Sequence, residues 1–436
     1  MRVFSFAGGK NRTMISAMGD SGHGDQAAPQ AALEQLLRSE EAGELLELAL
    51  SSAGLRVGQW RLEQIYTRPG AETSAKYLVD SGGAKLMLII STVKLSDDQR
   101  AALQAVRLDS PLGALHLWAF PQDPALPGLV LVEDQQALPR LLRRIWGTTV
   151  EVHSGELLVL RPLRRAVHRF TLQRGADSVE DVYIKTVRPS RSRTLLQRHD
   201  SCALAPPLWD AGDGILVSEA ARGIPLTHHL YRPTAPDPAV QIGPELIFSA
   251  LHSISAEALQ LPAKVSAASR VQAFGPVLHS QGAPTQRVDD LLLGIRQRLL
   301  PEPGPLVPIH GDFHPANLFV DQQATSLSAL IDTDTVGPGY AADDAATFFA
   351  HMLALPSFDP QGYAGVDRHI QLFWDHLAAI HDPDDLAART AAVLLTLAPG
   401  ARRPEQFEHF LSTAESMLHR PSSAGSLPIM GQNQKN

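Results

Sequence analysis

From Ala31 to about Ala53 leucines recur at helical spacing, Leu33, Leu36 and Leu37, then Leu45, Leu46 and Leu48, and this pattern predicts one or two amphipathic helices. From about Trp60 to Leu226 strand-length apolar runs take over, broken by Gly and Pro turns, and they form two series that answer each other. The first holds Arg68-Pro69, Ser74 to Val79, a Gly-Gly turn and Leu86 to Val93; the second holds Arg161-Pro162, Ala166 to Leu172, Gly175 and Val182 to Val187. Leu117-Trp118 then matches Leu208-Trp209, and Gly128 to Glu133 matches Gly214 to Glu219, which predicts a β run at each. Two copies are too few for a solenoid, which needs about three stacked units, so the repeat predicts a duplicated small sheet module. In this alignment Thr92 stands at the place of Lys185, with Lys94 two residues on.

Past Leu226 the pattern turns helical, with Pro-rich breaks at Arg232 to Pro238 and Pro301 to Pro305. Val288, Leu291, Leu292, Ile295 and Leu299 keep the spacing of a core-facing helix. Both ends, residues 1–30 and 421–436, lack any periodic apolar pattern and read as disordered. The organisation expected is therefore a lead at 1–30, an N-terminal α+β module at 31–150, a second sheet module at 151–226, a helical part at 227–420 and a tail at 421–436.

Composition removes several classes of function. With 44% apolar and 19% charged residues, the 436-residue chain is ordinary globular material. Thirty-eight Lys and Arg against forty-six Asp and Glu leave a formal charge of −8 with no dense basic run, which argues against nucleic acid as the main partner. No run approaches the ~18 apolar residues that a membrane span needs, and the N-terminus lacks the apolar core of a secretory signal. The single cysteine, Cys202, asks for no oxidising compartment, so the expected location is the cytoplasm.

The densest polar cluster is His310-Gly311-Asp312-Phe313-His314-Pro315-Ala316-Asn317, followed by the apolar run Leu318 to Val320, a polar turn from Asp321 to Thr325, and a second run, Leu327 to Ile331, that ends in Asp332-Thr333-Asp334. If the two runs pair as a hairpin, Asn317 opens one strand and Asp332 closes the other, so both lie at one end, with Asp312 in the loop just before them. An Asx-rich surface turn explains one such residue, not this many coordinating groups at once. A carboxylate and an amide oxygen suit Mg²⁺, which completes its shell with water and phosphate oxygens, and Asp312 is left to accept a proton. Phosphoryl transfer needs that division of labour.

The segment resembles the catalytic core of the aminoglycoside phosphotransferase and choline kinase-like family, the small-molecule branch of the protein-kinase fold. The pattern H-G-D-x-H-x-x-N followed a strand later by I-D is met at His310, Gly311, Asp312, His314, Asn317, Ile331 and Asp332, and a further G-x-x-x-x-D-x-A at Gly339, Asp344 and Ala346, with Asp343 as a rival. The resemblance implies an α+β, bilobal protein kinase-like fold. Its N-lobe sheet would be mainly antiparallel, spanning 151–226 with the hinge; its C-lobe would be helical; residues 31–150 would be an extra module, a degenerate copy of that N-lobe.

The resemblance further implies Asp312 as catalytic base, Asn317 and Asp332 as Mg²⁺ ligands, Asp344 as an acid bracing the loop, Lys185 as the strand lysine on the nucleotide phosphates, and backbone from Glu219 to Ala221 on the adenine edge. His310, His314 and Asp334 are supporting residues; Asp334 reads either as an extra carboxylate near the metal or as a cap. The implied reaction moves the γ-phosphate of ATP or GTP to a hydroxyl of a small molecule such as an aminoglycoside, an amino sugar or a related metabolite. A protein kinase fits less well, because Gly311 replaces Arg, Thr333-Asp334 replaces Phe-Gly and no A-P-E segment follows. A non-catalytic nucleotide-binding pseudokinase is opposed by the intact Asp312, Asn317, Asp332 and Lys185. Two features depart from the pattern: no G-x-G-x-x-G precedes Lys185, and Pro189 to Leu204 offers no Glu to pair with it, only Asp200, Gln197 or His199.

Overall fold

The computed structural model describes residues 27–67, 72–176, 179–235, 237 and 240–419. Arg68-Pro69, most of the expected lead and the tail at 421–436 lie outside the described residues. Helix α1 (Ala27–Arg38) opens the described chain and begins inside the stretch read as a lead; α2 (Glu41–Ser51) follows. Leu33, Leu36, Leu37, Leu45 and Leu46 are buried as their spacing predicts, whereas Leu48 is 42% exposed because Ala49 and Leu50 take the inward face.

These helices bury their apolar face with one side of a five-stranded sheet made of β1 (Trp60–Tyr66), β2 (Ser74–Ser81), β3 (Ala84–Ser91), β4 (Val106–Ser110) and β5 (Gly113–Ala119). A short helix, α3 (Asp97–Leu103), sits between β3 and β4 and starts on a capping box of Ser96 and Gln99. Helices α4 (Leu129–Glu133) and α5 (Ala137–Trp146) lead to a second five-stranded sheet: β6 (Val150–Arg161), β7 (Arg165–Arg174), β8 (Val179–Val187), β9 (Leu208–Gly212) and β10 (Ile215–Glu219). Helix α6 (Pro189–Asp200) stands between its third and fourth strands, as α3 does in the first. The spatial orders, β1-β2-β3-β5-β4 and β6-β7-β8-β10-β9, are the same.

Two details of the repeat alignment are corrected. Leu117-Trp118 lies in the fifth strand of the first sheet and Leu208-Trp209 in the fourth strand of the second, so they are not counterparts. Gly128 to Glu133, read as a β run, is helical: Leu129 and Val132 are buried three residues apart while Val130 and Leu131 are half-buried. A short continuous apolar run has no period to separate the two states. Gly128 packs against the start of β10, where an added Cβ would lie 2.4 Å from an Ile215 side-chain carbon, so no larger residue fits there.

Register also replaces Thr92 as the counterpart of Lys185. The β2–β3 ladder closes on Ser74 and Ser91, and the β7–β8 ladder on Arg165 and Val187, so the residue two positions inside the end is Ile89 in one sheet and Lys185 in the other. The fifth strands agree, Ile89 facing Trp118 and Lys185 facing Leu216. Ile89 and Trp118 are buried in a cluster with Phe120, Leu126, Leu129, Leu160, Leu163 and Ala166, so this face of the first sheet is filled by the β6–β7 turn of the second.

That turn is held firmly. Leu163 adopts a left-handed φ of 64°, which costs about 1–2 kcal/mol for a residue with a Cβ. Burial of its side chain is worth about 1.5–3 kcal/mol and offsets this. Its N–H donates to buried Asp123 Oδ2 at 2.8 Å, its carbonyl accepts from Arg188 Nε at 2.6 Å, and Tyr66 Oη donates to the Leu160 carbonyl at 2.6 Å.

The chain forms two compact units. One takes residues up to Ser192 with Trp209–Glu219, the other Arg193–Leu208 and the chain from Ala220. The second unit contains short helices α7 (Leu226–Leu230), α8 (Pro244–Ser249), α9 (Ala267–Arg270) and α10 (Gly275–Ser280), then α11 (Thr285–Arg298), on which Val288, Leu291, Leu292 and Ile295 face the core. Strand β11 (Ile224–Pro225) joins a hairpin of β13 (Leu318–Val320) and β14 (Leu327–Leu330), and β12 (Val307–Ile309) pairs with β15 (Gly337–Gly339). Helices α12 (Ala341–Phe358), α13 (Asp367–Ala378), α14 (Pro383–Leu397) and α15 (Pro404–Leu418) complete it, with α14 buried on nearly every side. Among the described residues no helix is long and apolar enough to cross a membrane.

Replacing Asp123 by Ala leaves the buried Leu163 N–H without its partner. The expected loss is about 1–3 kcal/mol of unfolding free energy for the first unit, read from urea denaturation of the full chain; an unchanged midpoint would show that the turn does not depend on it.

Candidate active site

The hairpin brings the expected ligand positions together. Leu318 pairs with Leu330, and the Ile331 N–H donates to the Asn317 carbonyl at 2.9 Å, so Asn317 and Asp332 flank the same end. Asp332 itself adopts a left-handed conformation, φ 56° and ψ 49°, and turns the chain into a tight helical turn at Thr333–Thr335 that contains Asp334. The Asn317 side chain is buried. Its Nδ2 donates to the Asp312 carbonyl at 3.0 Å and lies 3.1 Å from His314 Nε2.

The loop before Asn317 is built on one buried carboxylate. Asp344, in the first turns of α12, accepts from the N–H of His310 at 2.7 Å and of Gly311 at 2.8 Å. Burial pushes its pKa up to about 7, against the downward pull of those two N–H groups. Its rival Asp343 instead pairs with Arg389 at 2.7 Å. His310 is fully buried and burial lowers its pKa to about 4, so the ring is neutral; its Nε2 donates to the Ile331 carbonyl at 3.0 Å. Loop and hairpin are thereby tied at the same end. Gly311 has φ +76°, and a Cβ there would come within 2.8 Å of the Thr335 carbonyl oxygen, so glycine is required on both counts.

Asp312 follows with its side chain 39% exposed. Beside it stands a residue that sequence reasoning missed: Lys264 Nζ donates to the Gly311 carbonyl and lies 3.6 Å from Asp312 Oδ1. His351 stacks on His314 with ring centres 4.4 Å apart and lines a pocket together with Lys264 and Asp312. Burial lowers the pKa of both rings, that of His351 to about 3.

In the other unit Val182, Ile184 and Thr186 are buried and Lys185 is half-buried on the opposite face of β8 beside Tyr183. Glu219 ends β10, and its carboxylate accepts from Arg174 at 2.9 Å while that guanidinium lies over Trp146. The Glu219 side chain is thus engaged, and its carbonyl accepts from the Ser218 hydroxyl at 3.0 Å; Ala221 is half-buried in the segment that follows. Of the substitutes for a Glu on α6, Gln197 and Asp200 are exposed, whereas His199 lies 3.4 Å from the Thr333 hydroxyl, next to Asp332.

Residues 248–381, which contain the loop and the hairpin, match the family model described as the phosphotransferase enzyme family, APH. The match covers this segment alone, and over it the chain is similar to that family. Similar solved structures include a thermostable variant of aminoglycoside phosphotransferase APH(4)-Ia in ternary complex with ADP and hygromycin B, at 14% identity over 66% of this chain and 100% of that one, TM-score 0.43. Plasmodium vivax ethanolamine kinase shows 14% identity over 65% and 89%, TM-score 0.36. Macrolide 2'-phosphotransferase MphH from Brachybacterium faecium shows 17% over 66% and 99%, TM-score 0.34. No curated protein matches the chain.

Asp344→Ala would leave two loop N–H groups without acceptors, and about 2–5 kcal/mol of stability should be lost in urea denaturation. His351 gives a pH signature. Its folded pKa of about 3 lies below the ordinary histidine value of 6.5, so the unfolded chain binds the proton first as the pH falls, and stability is lost from about 6.5 down to 3. Removing that titration with His351→Phe should raise the variant's stability relative to wild type by about 2 kcal/mol between pH 7.5 and pH 5. Parallel pH curves for the two proteins would contradict it.

Proposed function

We propose that this chain transfers the γ-phosphate of ATP or GTP to a hydroxyl of a small molecule, with Asp312 as base. The observation that carries the reading is the convergence of Asp312, Asn317 and Asp332 through the Ile331–Asn317 bond and the Asp344 clamp. The acceptor oxygen attacks phosphorus as its proton passes to the Asp312 carboxylate, and the bond from the γ-phosphorus to the bridging oxygen breaks, releasing the nucleoside diphosphate.

Asn317 and Asp332 would hold Mg²⁺. The fit rests on donor chemistry: Asn317 directs Nδ2 to the Asp312 carbonyl, which leaves Oδ1 as the atom for a cation, and Asp332 adds a carboxylate at the same hairpin end. Bound there, Mg²⁺ supplies neutralisation of phosphate charge. Lys185 would attract the nucleotide phosphates, and the backbone from Glu219 to Ala221 would take the base. The counterpart of Lys185 in the first sheet is the buried Ile89, which supports one nucleotide per chain and a non-catalytic first module.

Asp312→Asn should lower turnover by about 10²–10⁴-fold while nucleotide affinity by calorimetry stays near wild type, because only activation and orientation of the hydroxyl are lost. Turnover within about tenfold of wild type would remove Asp312 from the role of base.

A further inference from the structure

The pocket that Asp312 lines has a volume of about 130 Å³. Sites for drug-sized ligands run to about 300–1,000 Å³, so this one suits a small acceptor. Its charges are unevenly committed. Asp343 is bound by Arg389 at 2.7 Å, and the same guanidinium holds the buried Asp385 at 2.7 Å, so these three form a closed set. His351 is kept neutral by burial. The rest of the wall carries Asp312 with Lys264, which lies 3.6 Å from it and donates to the Gly311 carbonyl, and Arg270 at the exposed end of α9, whose guanidinium lies over the Phe274 ring.

A polycationic acceptor would find Asp312 as the one lining carboxylate outside the Arg389 cluster, and its ammonium groups would meet Lys264 and Arg270. An anionic group on the acceptor would be attracted to both, and a guanidinium is suited to carboxylate or phosphate through paired N–H donors. We infer that the acceptor is a small hydroxyl compound carrying a carboxylate or phosphate group, held by Arg270 with its hydroxyl toward Asp312. This rests on the phosphotransferase reading above and narrows its acceptor to a class that excludes aminoglycosides and simple amino sugars.

The test is release of ADP by the full-length protein with MgATP and four congeners of one sugar: glucose, glucosamine, gluconate and glucose 6-phosphate, with hygromycin B as a polycation. A kcat/KM at least tenfold higher for gluconate or glucose 6-phosphate than for the neutral and cationic members is expected, and those two arms separate a carboxylate from a phosphate. Arg270→Glu should raise KM for the preferred anion at least tenfold and narrow its advantage over glucosamine. Preference for glucosamine or hygromycin B, equal use of all, or no turnover with any would overturn the inference. In the last case, slow hydrolysis of ATP by water that is lost in Asp312→Asn would leave phosphoryl transfer standing and reject only the acceptor class; its absence would reject both.

Discussion

The loop from His310 to His314 depends on a carboxylate that, among the described residues, has no ion-pair partner. Asp344 is fully buried, and its two oxygens are met by the His310 and Gly311 N–H groups. Burial makes its charged form expensive and pushes its pKa up to about 7, and the two backbone donors offset part of that cost. Because those donors belong to consecutive residues, the carboxylate fixes the path of the chain immediately before Asp312. The neutral His310 ring then carries the same constraint to Ile331 and so to the hairpin end. Asp312 and the Asn317–Asp332 end of the hairpin are thus fixed relative to each other by side-chain bonds to the backbone, and the α12 helix that carries Asp344 acts as their anchor.

Much of this was legible in the sequence because it is local. Asn317 and Asp332 stand at matching ends of two short apolar runs, and hairpin pairing alone brings them together. The choice between Asp343 and Asp344 was not open to spacing, since neighbouring residues on a helix differ by about 100° in direction and only packing says which points inward. Lys264 carried no signal: it is a lone lysine in a connecting stretch 48 residues from Asp312, and long-range placement decides its role. The run after Gly128 misled because four apolar residues without polar interruption fit a buried strand or a buried turn of helix equally.

The two sheets show one strand order used for different ends. In the second, Lys185 occupies a half-buried position beside Tyr183; in the first, the corresponding position is Ile89, packed against Trp118 and the β6–β7 turn. Loss of the cation and closure of the face go together, since a buried lysine there would need a partner that the cluster does not contain. The repeat in the sequence showed order and spacing; register, which a missing or extra residue in a turn shifts, needed the ladders.

The filled face also couples the two sheets to each other. Ile89 and Trp118 on one side meet Leu160 and Leu163 on the other at core density, so the four volumes sum to a nearly constant total. A larger residue at 89 has to be answered by a smaller one at 160 or 163, and a smaller one leaves a void that Trp118 cannot close alone. Among descendants of this chain, these positions in the two sheets should therefore change in pairs, leaving a record of covariation between the sheets rather than within either one.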